Sequence, residues 1–227
     1  MTLTRTAGAV DPSEALADLA IRLPGATRVF HRHHLDFCCG GRQRLSEACA
    51  RKGLDPLAIA DELAREAAPP PEQDWTRAPL AALVDHIIHR FHEPLRKELP
   101  ELLRMAERVE VVHAGRPDVP AGLATHLRAV AAGLEEHMQK EERVLFPIIR
   151  AGRGAVAGGP VSVMEREHEE HAVALRRTRE LTRDLTPPAD ACTTWRALYL
   201  GLDLLERDLM EHIHLENNVL FPRALGG

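Results

Sequence analysis

Two stretches of this chain, HMQKEERVLFP (residues 137–147) and HIHLENNVLFP (residues 212–222), share the pattern H-x3-E-x2-V-L-F-P. Each is preceded, at nearly the same distance, by an R-x-H-E segment, at residues 90–93 and 166–169. The repeated unit therefore contains two histidines and one glutamate. Because residues at i and i+4 lie on one face of an α-helix, each His-x3-Glu pair projects to one side of its helix. The duplication predicts two copies of one helical pair.

Four long helical patterns contain these repeats, and they predict an all-α protein with an up-down four-helix bundle. A glycine-rich loop is expected at residues 151–160, between the second and third patterns. Pro94 and Pro100 fall inside the first pattern, where proline is expected to kink or locally break the helix. The predicted helices span residues 79–111, 120–149, 161–185 and 193–222.

A small helical N-terminal domain is predicted before the bundle. Helix starts are indicated at residues 11–14, at Leu45 and at Asp55-Pro56, and the apolar positions between them supply a core. The segment AAPPPEQ, residues 67–73, reads as a stiff linker because consecutive prolines cannot continue a helix. We therefore predict a small helical domain at residues 1–70 and the bundle at residues 71–227. The expected apolar positions of the first domain are Leu16, Leu19, Ile21, Leu23, Val29, Phe30, Ala48, Leu57, Ile59 and Leu63.

Composition and charge exclude several classes of protein. The 227 residues carry a net charge of −5, which argues against nucleic acid as a partner because its binding needs a basic surface. No stretch approaches the ~18 apolar residues of a membrane-spanning helix, and the N-terminus lacks the apolar centre of a signal peptide. Four cysteines, two of them adjacent, do not resemble a secreted disulfide framework. A cytoplasmic protein is expected.

Six side chains of the repeats are candidate metal ligands. If the two helical pairs pack with pseudo-two-fold symmetry, all six converge in the middle of the bundle. Four imidazoles and two carboxylates are too many for one tetrahedral zinc ion. They predict two metal ions, each with two histidines and with both glutamates bridging, and with positions left for an oxo group, water or a small ligand. This nitrogen and oxygen set favours iron, with manganese second. The candidates are His92, His137, Glu141, His168, His212 and Glu216.

Two copies of the motif favour a metal site over a surface contact more strongly than one copy does. A single His-Glu pair at i and i+4 is more often a surface contact, but a core containing six such side chains would be costly without a metal. Spacing selects His92 over His89, because only that choice makes the repeats agree. His86 and His171 are expected to support the ligands or to lie at the surface. His214 is expected to point away and be exposed, with His113 also outside the site.

Adjacent Cys38 and Cys39 lie in a second distinctive segment, LDFCCGGR, residues 35–42. Because neighbouring side chains diverge, the pair is not expected to chelate one ion easily. It predicts a thiol site for metal capture with outside ligands, a mixed disulfide or partner contact, with Arg42 or a helix start lowering the thiol pKa. Two small buried side chains are the equal alternative. The following glycines allow close backbone approach, and the isolated Cys49 and Cys192 are read as core or helix-flanking residues.

Six segments of the chain resemble the Repair of Iron Centres family of bacterial iron–sulfur cluster repair di-iron proteins. They are DFCCGG, DHIIHRFH, HMQKEERVLFP, GPVSVMEREH, ACTTW and HIHLENNVLFPRAL. The resemblance runs from about residue 11 to the C-terminus and implies a haemerythrin-like bundle with two non-haem iron ions. The family's iron ligands fall on the six candidates named above, and its adjacent cysteines fall on Cys38 and Cys39. Pro94, two residues after His92, is the position at which to check for a departure from the family.

The main functional hypothesis, from this resemblance, is repair of iron–sulfur clusters damaged by nitrosative or oxidative stress. The chain would supply iron, held by oxo and carboxylate bridges, to damaged iron–sulfur proteins, and Cys38 and Cys39 would pass iron on or dock the recipient. A second hypothesis is a di-iron enzyme that reduces nitric oxide or a peroxide, so enzyme activity stays open. A third is a sensor or carrier of O2 or NO. A homodimer is also expected, from an exposed cysteine module.

Overall fold

The computed structural model describes residues 10–66 and 73–226. In these two ranges the chain is helical and has no strand beyond an isolated β-bridge between Ala15 and Arg44. The predicted all-α class is confirmed. No helix in the described part of the chain is long and apolar enough to cross a lipid bilayer. Most of the predicted proline linker, residues 67–72, lies outside the described residues.

Four short helices form an N-terminal module: α1 (Leu16–Arg22), α2 (Ala26–Arg32), α3 (Leu45–Lys52) and α4 (Pro56–Arg65). The predicted starts of α3 and α4 are confirmed. Asp55 caps α4 by accepting the N–H of Leu57 at 2.9 Å, and Pro56 occupies the first turn, where no backbone donor is needed. The first predicted start is early, because residues 11–14 form a turn before α1. Two of the expected core positions, Ile21 and Leu57, are exposed.

Four longer helical segments form the bundle. The first packs against the second and the fourth, and the second packs against the third. The predicted up-down bundle is confirmed. The first bundle helix contains α5 (Leu80–Ile87), a π turn (Ile88–His92) and α6 (Glu93–Val112); the second contains α7 (Leu123–Lys140), a π turn (Glu141–Leu145) and α8 (Phe146–Arg150); the third is α9 (Gly158–Leu181); the fourth contains α10 (Thr193–Leu215), a π turn (Glu216–Leu220) and α11 (Phe221–Gly226).

The three π turns share one sequence feature, a proline two residues after the last residue of the turn. Pro94, Pro147 and Pro222 each stand second in the α-helix that follows. A π turn bonds an N–H to the carbonyl five residues earlier, as Glu93 does to Ile88, and so absorbs one extra residue. The expected break at Pro94 is therefore a local π turn, and the helix continues. It also continues through Pro100, where the predicted break is absent, since Pro100 lies inside α6.

The loop between the second and third bundle helices is shorter than the sequence predicts. Residues 154–156 form a 3-10 turn, and α9 begins at Gly158 rather than at Val161. Pro160 is tolerated there because the first turn of a helix makes no intrahelical N–H bonds. The third bundle helix consequently starts one turn earlier.

Two apolar clusters occupy the ends of the bundle, and a polar layer lies between them. Ile87, Leu145 and Phe221 belong to one cluster, while Leu95 and Leu134 belong to the other. The second cluster continues without interruption into the N-terminal module, where it includes Phe30, Phe37 and Cys38. The module and the bundle therefore share one core, and the cysteine segment is part of it.

Candidate metal centre

The polar layer contains all six side chains that the repeats single out. Each is at most 1% exposed, and each of the four bundle helices contributes at least one of them. His92 ends the first π turn, while Glu141 and Glu216 begin the other two. The wider π turns place these side chains in the bundle interior. The six residues are His92, His137, Glu141, His168, His212 and Glu216.

The six side chains fall into two groups of four that share both glutamates. In one group His92 Nε2 lies 3.2 Å from His212 Nε2, and in the other His137 Nε2 lies 3.1 Å from His168 Nε2. Each histidine pair combines one side chain from each sequence repeat. The repeats are thus interleaved at the centre, which the spacing of the sequence did not specify.

Each carboxylate contacts one histidine of each pair. Glu141 Oε2 lies 3.4 Å from His92 Nε2 and 3.5 Å from His137 Nε2. Glu216 Oε1 lies 3.1 Å from His212 Nε2, and Glu216 Oε2 lies 3.2 Å from His168 Nε2. Both glutamates therefore stand between the two groups, where a bridging carboxylate would be placed.

Three of the four imidazoles are held in one orientation through their Nδ1 atoms. Glu142 accepts from His92 at 2.7 Å, Glu167 from His137 at 3.0 Å and Asn217 from His168 at 2.8 Å. When Nδ1 carries the proton, the lone pair of Nε2 is free to face the centre. Sequence reasoning missed these partners. Glu142 and Asn217 follow the two repeat glutamates directly, and this matched position was the available signal.

The fourth imidazole, His212, has no such partner among the described residues. Its Nδ1 is buried without a hydrogen bond, and its ring stacks on Phe91 with centroids 5.3 Å apart. Phe91 occupies the variable position of the first R-x-H-E segment, and Glu167 occupies the same position of the second. The two repeats therefore orient the two equivalent imidazoles, His212 and His137, by different means.

The two buried carboxylates repel each other when both are ionised, and a cation between them would stabilise both. Burial and the nearby Glu216 carboxylate raise the pKa of Glu141 to about 8. Burial alone would also raise the pKa of Glu216, but His212 and His168 hold it well below its usual range. All four oxygens of these carboxylates lack a hydrogen-bond partner among the described residues, although imidazole nitrogens lie 3.1–3.5 Å from three of them. Buried charges of this kind are usually paired or bound to metal.

The other histidines near the repeats are not among the six side chains of the centre. His89 is exposed and pairs with Glu93 at 2.9 Å, whereas His92 is buried in the polar layer. His86 lies half-buried against Trp75, and His113 lies against Trp195. His171 is buried beside His137, with ring centroids 4.9 Å apart, and its Nε2 has no partner in the described residues.

The expectation that His214 is exposed is wrong. His214 points away from the centre, but it is only 3% exposed because the N-terminal module covers it. Its ring packs edge-on against Phe37, with centroids 5.5 Å apart, and Nδ1 contacts Asn218 at 3.0 Å. Burial lowers the pKa of His214 to about 4. A helical-wheel argument cannot reveal this contact, because the covering side chain comes from a distant part of the sequence.

The cysteine pair is also less exposed and more convergent than the sequence suggests. Cys38 is buried and Cys39 is partly exposed, so the cysteine pair is less exposed than the prediction of a dimer assumes. The two Sγ atoms lie 4.0 Å apart, which contradicts the argument that adjacent side chains diverge. The pKa of Cys38 is raised well above its usual range by Cys39, by burial and by Asp36, rather than lowered. Cys49 is a core residue, and Cys192 precedes α10, as predicted.

Two asparagines join the cysteine segment to the metal centre. Asn217, which accepts from His168, donates to the Cys38 carbonyl at 3.3 Å. Asn218 donates to the carbonyls of Phe37 at 3.4 Å and Cys38 at 3.3 Å. The module therefore docks directly behind one imidazole of the centre.

Comparison with known proteins places both parts of the chain. The family profile described as "Hemerythrin HHE cation binding domain" matches residues 83–224, and the profile described as "Domain of Unknown function (DUF542)" matches residues 12–67. Proteins named iron-sulfur cluster repair protein YtfE from Citrobacter koseri, Escherichia coli O8 and Escherichia fergusonii are each 51% identical to this chain over 214 residues. Each alignment covers 94% of this chain and 97% of the relative.

The similarity therefore includes the cysteine segment, both repeats and the buried His/Glu groups suited to binding metal. The profile of a cation-binding domain spans the helices that supply all six side chains. The chain belongs to the hemerythrin HHE cation-binding family and, within it, to the family of the iron–sulfur cluster repair protein YtfE.

Proposed function

We propose that this chain binds two non-haem iron ions and supplies iron for the repair of damaged iron–sulfur clusters. One observation carries the proposal: two groups of two histidines share two buried glutamates whose oxygens lack partners among the described residues. One ion would be held by His92 and His212, and the other by His137 and His168. Glu141 and Glu216 would serve both.

The donor set supports iron. Each group offers two imidazole nitrogens and carboxylate oxygens, and it contains no thiolate. Such sets, projecting inward from the helices of a bundle, suit iron or manganese and leave coordination positions open. Nitrogen atoms 3.1–3.2 Å apart can be joined by one cation at ordinary metal–nitrogen distances of ~2.1 Å. We propose bridging by both carboxylates, with room for an oxo bridge.

The surrounding residues set how firmly the ions would be held. Glu142 and Glu167 orient two imidazoles and raise their basicity, whereas Asn217 offers one imidazole only a neutral acceptor. Arg96 and Lys140 pair with Glu142 at 2.9 Å and Glu167 at 2.7 Å, so these carboxylates are themselves fixed. The iron pair, when bound, supplies ions that can change oxidation state and be released.

Transfer to damaged iron–sulfur proteins is proposed from the name of the relatives and from ligand chemistry. Cluster sites offer thiolate and sulfide, which are softer ligands than imidazole and carboxylate, and they compete well for ferrous iron. As part of the same proposal, the protein acts in the cytoplasm, where it would encounter damaged clusters. We also propose that residues 1–70 and 71–227 are two functional parts, of which the second binds the iron.

The first experiment measures metal content and iron transfer together. Wild-type protein, a Glu141→Ala/Glu216→Ala variant and a His89→Ala control are loaded with ferrous iron under anaerobic conditions and desalted. We expect about two irons per chain in the wild type and the control, and a large loss in the double variant. Loaded protein should then rebuild a cluster in an apo-cluster protein supplied with sulfide.

Two results would overturn the proposal. Retention of both irons by the double variant would remove the assigned site. Full metal loading without any cluster rebuilding would keep the site but remove the repair function. Steady consumption of nitric oxide in the presence of an electron donor would favour the enzyme hypothesis instead.

A further inference from the structure

A second group of convergent ligand atoms lies in the N-terminal module, outside the His/Glu centre. Asp36, Cys38 and Cys39 each offer one atom, and these three atoms all lie within 4.8 Å of one another. Cys38 Sγ lies 3.3 Å from Asp36 Oδ1 and 4.0 Å from Cys39 Sγ. Thiolates are the ligands that thiophilic cations such as Zn2+ prefer, and a carboxylate oxygen can also bind Zn2+.

The backbone of this loop is folded to produce the convergence. Asp36 Oδ1 accepts the N–H of Cys39 at 2.9 Å, which turns the chain so that both thiols face the carboxylate. The following glycines let the chain turn back close to its own backbone. A Cβ on Gly40 would lie 2.9 Å from the Asp36 carbonyl oxygen, and a Cβ on Gly41 would lie 2.6 Å from that of Phe37. The segment DFCCGG thus encodes one compact loop rather than two independent cysteines.

We propose that Asp36, Cys38 and Cys39 form a second cation site, specific for a thiophilic divalent ion such as Fe2+ or Zn2+. A tetrahedral ion with metal–sulfur bonds of ~2.3 Å holds two sulfurs ~3.8 Å apart, and a sulfur and a carboxylate oxygen ~3.5 Å apart. The observed separations of 4.0 and 3.3 Å are close to both values. Binding releases the two thiol protons to solvent, because thiolates are the ligands.

Two of the three side chains border open space, through which an ion could enter and in which a fourth ligand could bind. Asp36 and Cys38 line a cleft of about 560 Å3 between the module and the bundle. Arg51, Lys52 and Arg176 stand exposed along the same cleft. Exposed cations attract small anions, so an anion or a water molecule in the cleft can complete the coordination.

The second site adjoins the first at His168. Cys39 Sγ lies 3.5 Å from the backbone oxygen of His168, and Asn217 joins the His168 ring to the Cys38 carbonyl. A cation on the cysteine loop would therefore lie directly behind an imidazole of the paired centre. The second site rests on its own geometry and does not require the repair function proposed above.

Cobalt(II) is the probe, because thiolate coordination gives an intense near-ultraviolet charge-transfer absorption that histidine and carboxylate ligands do not give. Reduced full-length protein is titrated with Co2+ without oxygen. We expect a saturable thiolate-to-cobalt band in the wild type and in Glu141→Ala/Glu216→Ala. Cys38→Ser and Cys39→Ser should remove it or weaken binding more than tenfold. Cys49→Ser is the matched control, a buried thiol of the same module, and should keep the band.

Asp36→Asn keeps an oxygen that can accept the Cys39 N–H but removes the charge, so it tests the third ligand without opening the loop. We expect at least tenfold weaker cobalt binding with an unchanged circular dichroism spectrum. This variant decides the matter if a serine variant fails to fold. Absence of the thiolate band from wild-type protein overturns the proposal. So does a band that survives Asp36→Asn at full affinity or disappears in Cys49→Ser.

Discussion

The two sequence repeats place the same ligands, but they face different surroundings. After the shared glutamate, the first repeat continues with Glu142, Arg143 and Val144, and the second with Asn217, Asn218 and Val219. Val144 is 50% exposed, whereas Val219 is 4% exposed. The first repeat presents an ion pair at its edge, and the second presents amides that bond to the cysteine loop.

The difference teaches how one duplicated unit serves two purposes. The ligand positions are retained because the centre needs both copies: each histidine pair draws on both repeats. The positions next to the ligands diverge because only one repeat receives the N-terminal module. The rings of His92 and His137 therefore bond to carboxylates, whereas the ring of His168 bonds to an amide that also bonds to the docked module.

The largest expected effect follows from the interleaving of the repeats. His92→Ala and His168→Ala change equivalent positions, yet they remove a ligand from different groups. We expect each variant to bind about one iron per chain instead of two, measured by metal analysis after anaerobic loading. His89→Ala, on the same helix but exposed, should bind as the wild type does. If His92→Ala lost both ions and His168→Ala lost none, the two groups would not be equivalent.

The second-largest effect is expected when the two residues after the glutamate of the second repeat are replaced by those of the first. Asn217→Glu with Asn218→Arg removes the donors to Phe37 and Cys38 and inserts an arginine where Gly41 packs closely. Leaving buried carbonyls without partners costs ~1–3 kcal/mol each, so for these two carbonyls we expect a loss of ~2–6 kcal/mol in the free energy of unfolding by urea. Cys38 should also react faster with iodoacetamide.

The mirror variant, Glu142→Asn with Arg143→Asn, supplies the control for this transplant. It should leave module docking and the reactivity of Cys38 unchanged, because the hydrogen-bond partners of Glu142, which are His92 and Arg96, lie in the bundle and not in the module. Equal destabilisation by both transplants would mean that the asparagines do not hold the module in place.

A smaller effect is expected from the carboxylate behind His92. Glu142→Ala removes the acceptor at Nδ1, and the loss of such a partner typically lowers metal affinity ~10–100-fold. Glu142→Gln keeps an acceptor and should fall between this variant and the wild type. Competition with a metal chelator measures both. Identical affinities for the alanine variant and the wild type would show that the ring is oriented by packing alone.

Much of this centre is predictable from the chain because it is encoded locally. The i, i+4 spacing of His137 and Glu141 follows from helix geometry, and duplication separates His92 from the adjacent His89. The helices were predictable for the same reason, since apolar spacing and caps are properties of short segments. Even Pro94 signalled a local irregularity, although a π turn rather than a break resulted.

What the sequence did not reveal depends on contacts between distant residues. The pairing of His92 with His212, the burial of His214 and the convergence of Cys38 with Cys39 are set by how helices and the module pack. Glu167 and Phe91 occupy the same repeat position. Only the folded bundle shows that Glu167 bonds to Nδ1 of His137, whereas Phe91 stacks on the ring of His212. Local patterns specify which residues meet the centre and leave their partners undetermined.

The smallest effect tests the surroundings of the repeats with one matched pair of substitutions. Val144→Ala and Val219→Ala remove the same atoms from equivalent positions. Burial of two methylene equivalents contributes ~1.5 kcal/mol, so Val219→Ala should lower the free energy of unfolding by about this amount. Val144→Ala should change it by less than ~0.5 kcal/mol, as exposed substitutions usually do. Urea denaturation of the metal-free proteins measures both. Equal losses would mean that the first repeat is covered in solution as well, and the asymmetry between the halves would then lie in their hydrogen bonds alone.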